Sequence, residues 1–82
     1  MQRLISLEKG QVGRITGMDL PPHTTKRLFE LGLHTSAQVT MKKNNQGPCV
    51  LGIHHFTIAV SRKLCENIFV TLPGETTREV RA

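Results

Sequence analysis

The sequence predicts a mainly β domain: a small, SH3-like barrel of about five strands, with a short α-helix inserted after the first strand and a helical turn before the last. Three observations carry this. Short apolar stretches with period-two alternation, separated by turn residues, recur between residues 11 and 72, and only one longer stretch has helical spacing. Gly13 and Gly17 fall inside the first such stretch, where glycine marks the bends and bulges that let a small sheet curl. With 82 residues, three Phe and no Trp or Tyr, the chain has room for one core, and Leu, Ile and Val must fill it. A two-layer α+β sheet is the alternative.

The elements follow in order. Leu4, Ile5 and Leu7 form an apolar lead-in. From Gln11 to Met18, Val12, Arg14 and Thr16 alternate with Gly13, Ile15 and Gly17, as on a strand. Pro21 and Pro22 preset a first helical turn, so a helix is expected from Pro22 to Leu31. Gly32 then stands where a left-handed residue is wanted, and Leu33 where an apolar residue folds back onto Leu28. Leu28 and Leu31 share a stripe with Thr24 and are expected in the core, while Lys26, Arg27 and Glu30 face water.

Ala37 to Lys43 alternates again, and Asn44-Asn45-Gln46-Gly47-Pro48 is a turn by composition. Cys49, Leu51 and Ile53 have one parity and Phe56, Ile58 and Val60 the other, which places a tight reversal at His54-His55. Ser61 is a suitable cap for one or two helical turns with Leu64, Cys65 and Ile68 inward, and Ile68 to Leu72 closes the sheet. Residues 1–72 form the expected domain. Residues 73–82 are polar with little to bury, and a frayed tail is expected there.

Composition narrows the function. The net charge of +5 arises within residues 1–72, because Arg78 and Arg81 are cancelled by Glu75 and Glu79. Such an excess suits an acidic partner. No stretch approaches the ~20 apolar residues that cross a bilayer, and the first residues lack an export signal, so a cytoplasmic protein without membrane insertion is expected. Cys49 and Cys65 are the only cysteines, and in that compartment they read as reduced packing residues. The carboxylates Glu8, Asp19, Glu30 and Glu66 are scattered singly, no nucleophile motif stands out, and the glycines lack the lysine and context of a phosphate loop. Catalysis is not expected.

Metal binding is the sharper question. His23, His34, His54, His55, Cys49 and Cys65 are candidate ligands, yet only His54-His55 approaches paired spacing, and adjacent strand residues point to opposite faces. No cofactor is expected beyond a weak surface transition-metal site at His54 and His55, strengthened if Cys65 or Cys49 lies beside that turn. Nucleic acid is the competing partner, through Lys42, Lys43, Arg62 and Lys63 as one basic face; the absence of stacking aromatics disfavours it.

Gly13-Arg14-Ile15, the helix from Lys26 to Leu31, its Leu31-Gly32-Leu33 ending, Val39 and Met41, and the run from Ile58 to Lys63 together resemble the FeoA family over roughly residues 4–72. These are small SH3-like proteins of bacterial ferrous iron uptake. Three features depart from its pattern: Thr35-Ser36 replaces proline-glycine after the helix, Ser61 replaces an arginine after the Ile58-Ala59-Val60 strand, with Arg62 and Lys63 next to it, and the loop from Asn44 to Pro48 is a little short. The first departure implies a turn made without its usual left-handed residue. The resemblance implies a non-enzymatic accessory protein acting on the cytoplasmic GTP-binding portion of the FeoB transporter. Similar domains end iron-dependent repressors, but no DNA-reading helix pair is present to be regulated. The expected docking surface is the helix and the adjacent barrel edge, with Phe29 and Leu33 reaching the partner and Lys26, Arg27, Lys42, Lys43, Arg62 and Lys63 steering it. Exposed edge strands leave self-association open.

Overall fold

The computed structural model describes residues 2–73. Six strands form one antiparallel sheet: β1 (Gln2–Arg3), β2 (Val12–Met18), β3 (Gln38–Lys43), β4 (Cys49–Ile53), β5 (Phe56–Val60) and β6 (Ile68–Thr71). Their order across the sheet is β1-β6-β2-β3-β4-β5, so β1 and β5 are its two ends. Helix α1 (Pro22–Glu30) lies between β2 and β3, and the single turn α2 (Arg62–Cys65) lies between β5 and β6. The mainly β expectation holds, with one strand more than the sequence suggested. The lead-in supplies it: Gln2 and Arg3 pair with Val70 and Phe69, and residues Leu4–Ser6 then turn as a short 3-10 helix that buries Leu4. A two-residue strand is too short to show alternation. The expected tail, residues 73–82, lies outside the described residues except for Pro73.

Alternation decides which side chains enter the core. Gly13 and Ile15 of β2, Val39 and Met41 of β3, Cys49, Leu51 and Ile53 of β4, and Ile68 and Val70 of β6 are all buried. Leu4, Leu7, Leu28, Leu33 and Ala37 complete this core. The parity change at residues 54 and 55 is the expected reversal: Ile53 pairs with Phe56, Leu51 with Ile58 and Cys49 with Val60. His54 takes φ 54° at the first central position of this two-residue turn. The sheet curls at two register shifts, between Ile15 and Gly17 against β6 and between Met41 and Lys43 against β4. Gly13 is needed for close packing, since a Cβ there would lie 3.2 Å from Val70 Cβ and 3.3 Å from Leu7 Cδ1.

Candidate functional site

Helix α1 carries the surface that matters most, and its ending places the side chains. Gly32 has φ 98°; its N–H donates to the Phe29 carbonyl at 3.0 Å, and the Leu33 N–H donates to the Leu28 carbonyl at 2.9 Å. This is a Schellman ending, and it turns the chain so that Leu33 drops into the core beneath Leu28. Leu33 has no exposed surface at all, whereas Leu31 is 46% exposed. The expected roles of these two leucines are therefore exchanged. Leu33 cannot meet a partner, and Leu31, assigned by its stripe to the core, can. The stripe rule failed because α1 is nine residues long and ends just before Leu31, which caps the helix and points away from the barrel.

Phe29 is 62% exposed, as expected of a partner-facing residue, and Phe56 at the start of β5 is 47% exposed. Gly32 joins them: a Cβ on Gly32 would stand 3.5 Å from Phe56 Cζ and 3.4 Å from Ile53 Cγ2, so the ending of α1 lies directly against the β4–β5 turn. Phe29, Leu31 and Phe56 make up the exposed large apolar residues of the described chain. On the other side of Phe29, the His34 ring lies with its centroid 5.0 Å away, and His34 Nδ1 donates to the Thr35 carbonyl at 3.0 Å. A shallow groove of about 280 Å³ opens there between Met18, Thr25, Phe29, His34 and Thr35, with buried Leu33 under its floor. The following turn corrects another expectation. Ser36 itself takes the left-handed conformation, at φ 81°, and the Ala37 N–H closes the turn on the His34 carbonyl at 2.9 Å.

Charge is divided between the two ends of the barrel. Lys26 and Arg27 are exposed on α1 beside His23 and Glu30. Lys42 lies on the outer face, its stem crossing Gly52, in a groove shared with Gln38, Thr40 and His54. Lys43 pairs with Val50, at the far end of β4 from Ile53 and hence about 10 Å along the strand from α1. Of the four cations expected as one basic face, Lys42, Lys43, Arg62 and Lys63, Arg62 bonds the Asn44–Asn45 loop directly after Lys43.

Arg62 is withdrawn from the surface role assigned to it. Its Nη1 donates to Asn44 Oδ1 at 2.8 Å and to the Asn45 carbonyl at 2.6 Å, and it lies 3.9 Å from Cys49 Sγ. Asn44 is the centre of this network. Its Nδ2 donates to the Ile5 carbonyl at 2.9 Å and the Leu7 carbonyl at 2.8 Å, and its Oδ1 also accepts from the Cys49 thiol at 3.6 Å. One amide thus ties the 3-10 turn, the β3–β4 loop, β4 and α2 together. Sequence reading passed over Asn44 as a turn residue, since a contact across 39 positions has no local signal.

The turn histidines and the two cysteines stay apart. His54 and His55 are exposed at the β4–β5 turn, and Cys65 is buried beside Cys49 at the other end of β4. The condition that would have strengthened a site at that turn is not met. Among the described residues no three His, Cys, Asp or Glu side chains converge on a common point. Burial, and secondarily the Cys49 thiol, pushes the Cys65 thiol up to about 12. Both cysteines are free, as read from the sequence.

The FeoA domain family model matches residues 2–72, nearly the whole of the described structure. The chain belongs to the FeoA family. A role in ferrous iron transport follows from that membership. Among solved structures, the chain resembles the FeoA protein from Chlorobium tepidum, at 22% identity over 88% of this chain and 70% of that one, with a TM-score of 0.81. It also resembles an iron uptake regulatory protein (FeoA), at 17% identity over 83% of this chain and 92% of that one, with a TM-score of 0.77. A manganese-dependent transcriptional repressor in complex with manganese matches at 13% identity and a TM-score of 0.80, covering 87% of this chain but 36% of the repressor. These likenesses establish the SH3-like fold. No curated protein matches significantly by sequence. No helix among the described residues is long and apolar enough to cross a membrane.

Proposed function

We propose that this FeoA domain is a non-enzymatic cytoplasmic accessory protein that docks on the GTP-binding portion of an FeoB-type ferrous iron transporter. The observation that supports this most is the exposed apolar group of Phe29, Leu31 and Phe56, gathered by the Schellman ending of α1 and edged by Lys26 and Arg27. The other large apolar residues among those described are at least partly buried, and such a group suits a partner surface. Covering it supplies affinity, and the two cations speed encounter with an acidic face. Lys42, on the outer face by His54, extends the basic edge, and Lys43 and Lys63 lie further from the helix ending than Lys26 and Arg27 in this reading.

A pull-down with the cytoplasmic portion of the transporter tests the reading. Burying a half-exposed Phe or Leu side chain is worth about 1–2 kcal/mol, so Phe29→Asp or Leu31→Asp weakens binding by about 5- to 30-fold. Lys26→Glu/Arg27→Glu slows association, most clearly at low salt. Folded variants that bind as tightly as the wild type would place the docking surface elsewhere.

A further inference from the structure

We propose that Cys49 and Cys65 are a reversible dithiol–disulfide pair, closed by exchange with a low-molecular-weight disulfide when the single-turn helix α2 opens. Two contacts through Val60 bring the thiols near each other. Val60 stands opposite Cys49 in the β4–β5 ladder, and its carbonyl lies 4.0 Å from the Cys65 thiol, which donates to it. Cys49 is also close enough to Cys65 to raise its thiol. On the other side of Cys49 stand Asn44 Oδ1 and the Arg62 guanidinium, so one sulfur of the pair faces a fixed positive charge.

Both thiols are fully buried while α2 is closed, and no oxidant reaches them. Helix α2 is a short gate, pinned at its start by the Arg62 bonds to Asn44 and Asn45. It consists of Arg62–Cys65, capped by the Leu64 N–H donating to Ser61 Oγ at 3.3 Å and held by the Cys65 N–H on the Ser61 carbonyl at 3.2 Å. A segment this short opens at a fraction of the cost of global unfolding. Once open, Cys65 meets water, its thiol returns towards the ordinary range, and its thiolate attacks one sulfur of the small disulfide. That step releases one small thiolate and leaves a mixed disulfide on Cys65. As α2 returns, Cys49 loses its proton to solvent and attacks the Cys65 sulfur, expelling the second small thiolate. In sum, two protein thiols and one small disulfide become one protein disulfide and two small thiols, and two electrons pass from the protein to the small molecule. The bond staples β4 to α2 and takes the Cys49 proton from Asn44. A reducing thiol pool reverses it.

The test uses the reduced full chain, glutathione disulfide as the probe, native buffer at pH 8, and intact-mass spectrometry. The expected product is about 2 Da lighter, carries no glutathione and reverts with dithiothreitol. Neither Cys49→Ser nor Cys65→Ser gives that product. Ser61→Ala removes the cap, raises the open population and speeds closure by about fivefold. The proposal is overturned if the folded wild type gives no such species, if closure occurs only in denaturant, or if its rate is the same in Ser61→Ala.

Discussion

Replacing Asn44 by Ala removes the one side chain that ties four separate segments together, and the cost follows from its contacts. Nδ2 satisfies the carbonyls of Ile5 and Leu7, and Oδ1 holds the Arg62 guanidinium. Those contacts are partly buried, so water compensates some of the loss. At about 1–3 kcal/mol for each buried polar group left unpaired, the two carbonyls and the freed guanidinium together place the cost at about 2–4 kcal/mol. For a domain of this size each kcal/mol moves the midpoint by about 4–8 °C, so Tm falls by about 10–25 °C. Urea unfolding followed by circular dichroism checks it, with the slope unchanged and the midpoint lowered. Arg62→Ala costs less, about 1 kcal/mol, because Asn44 still bridges to the 3-10 turn. Should Asn44→Ala fall within 0.5 kcal/mol of the wild type at the same slope, the reasoning that makes this amide the tie of the barrel is wrong.

Gly32→Ala forces a Cβ onto a residue at φ 98° and loses about 1–2 kcal/mol, read as a lowered urea midpoint; an unchanged midpoint would mean that α1 ends some other way. The Cys65 thiol gives a pH dependence of definite sign. Folding raises it from 9.0 to about 12, so above pH 9 the unfolded chain loses a proton that the folded chain keeps. Stability is full below pH 9 and falls between pH 9 and 12, by up to about 1.4 kcal/mol per pH unit. Cys65→Ala removes that part of the slope, and identical slopes in the two proteins would contradict the burial of the thiol.

How much of this was legible depends on whether a feature is local. The five main strands, the reversal at His54-His55, the Ser61 cap and the glycine stop of α1 each rest on a few neighbouring residues, and each stands within a residue or two of its expected place. The exchange of Leu31 and Leu33 was less accessible. A helical stripe is defined by extrapolating a regular helix, and Gly32 breaks that regularity between the two leucines. Ser36 shows that a departure from a family pattern need not change the backbone: serine adopts the φ that glycine would have taken, at a conformational cost the surrounding bonds absorb. Phe56 joins the apolar group through a contact with Gly32 across 24 positions, and the half-buried Arg62 turns onto Asn44. Only three-dimensional proximity reveals either.

The central claim is that the ending of α1 and the start of β5 form the surface that a transporter grips. Titrating the 15N-labelled chain with the cytoplasmic portion of the transporter, and following amide shifts residue by residue, measures it most directly. The account predicts changes concentrated at residues 26–34 and 54–57, with Lys43, Asn44 and Lys63 undisturbed. Shifts confined to the Asn44 end of the barrel, or to β1 and β6, would contradict it.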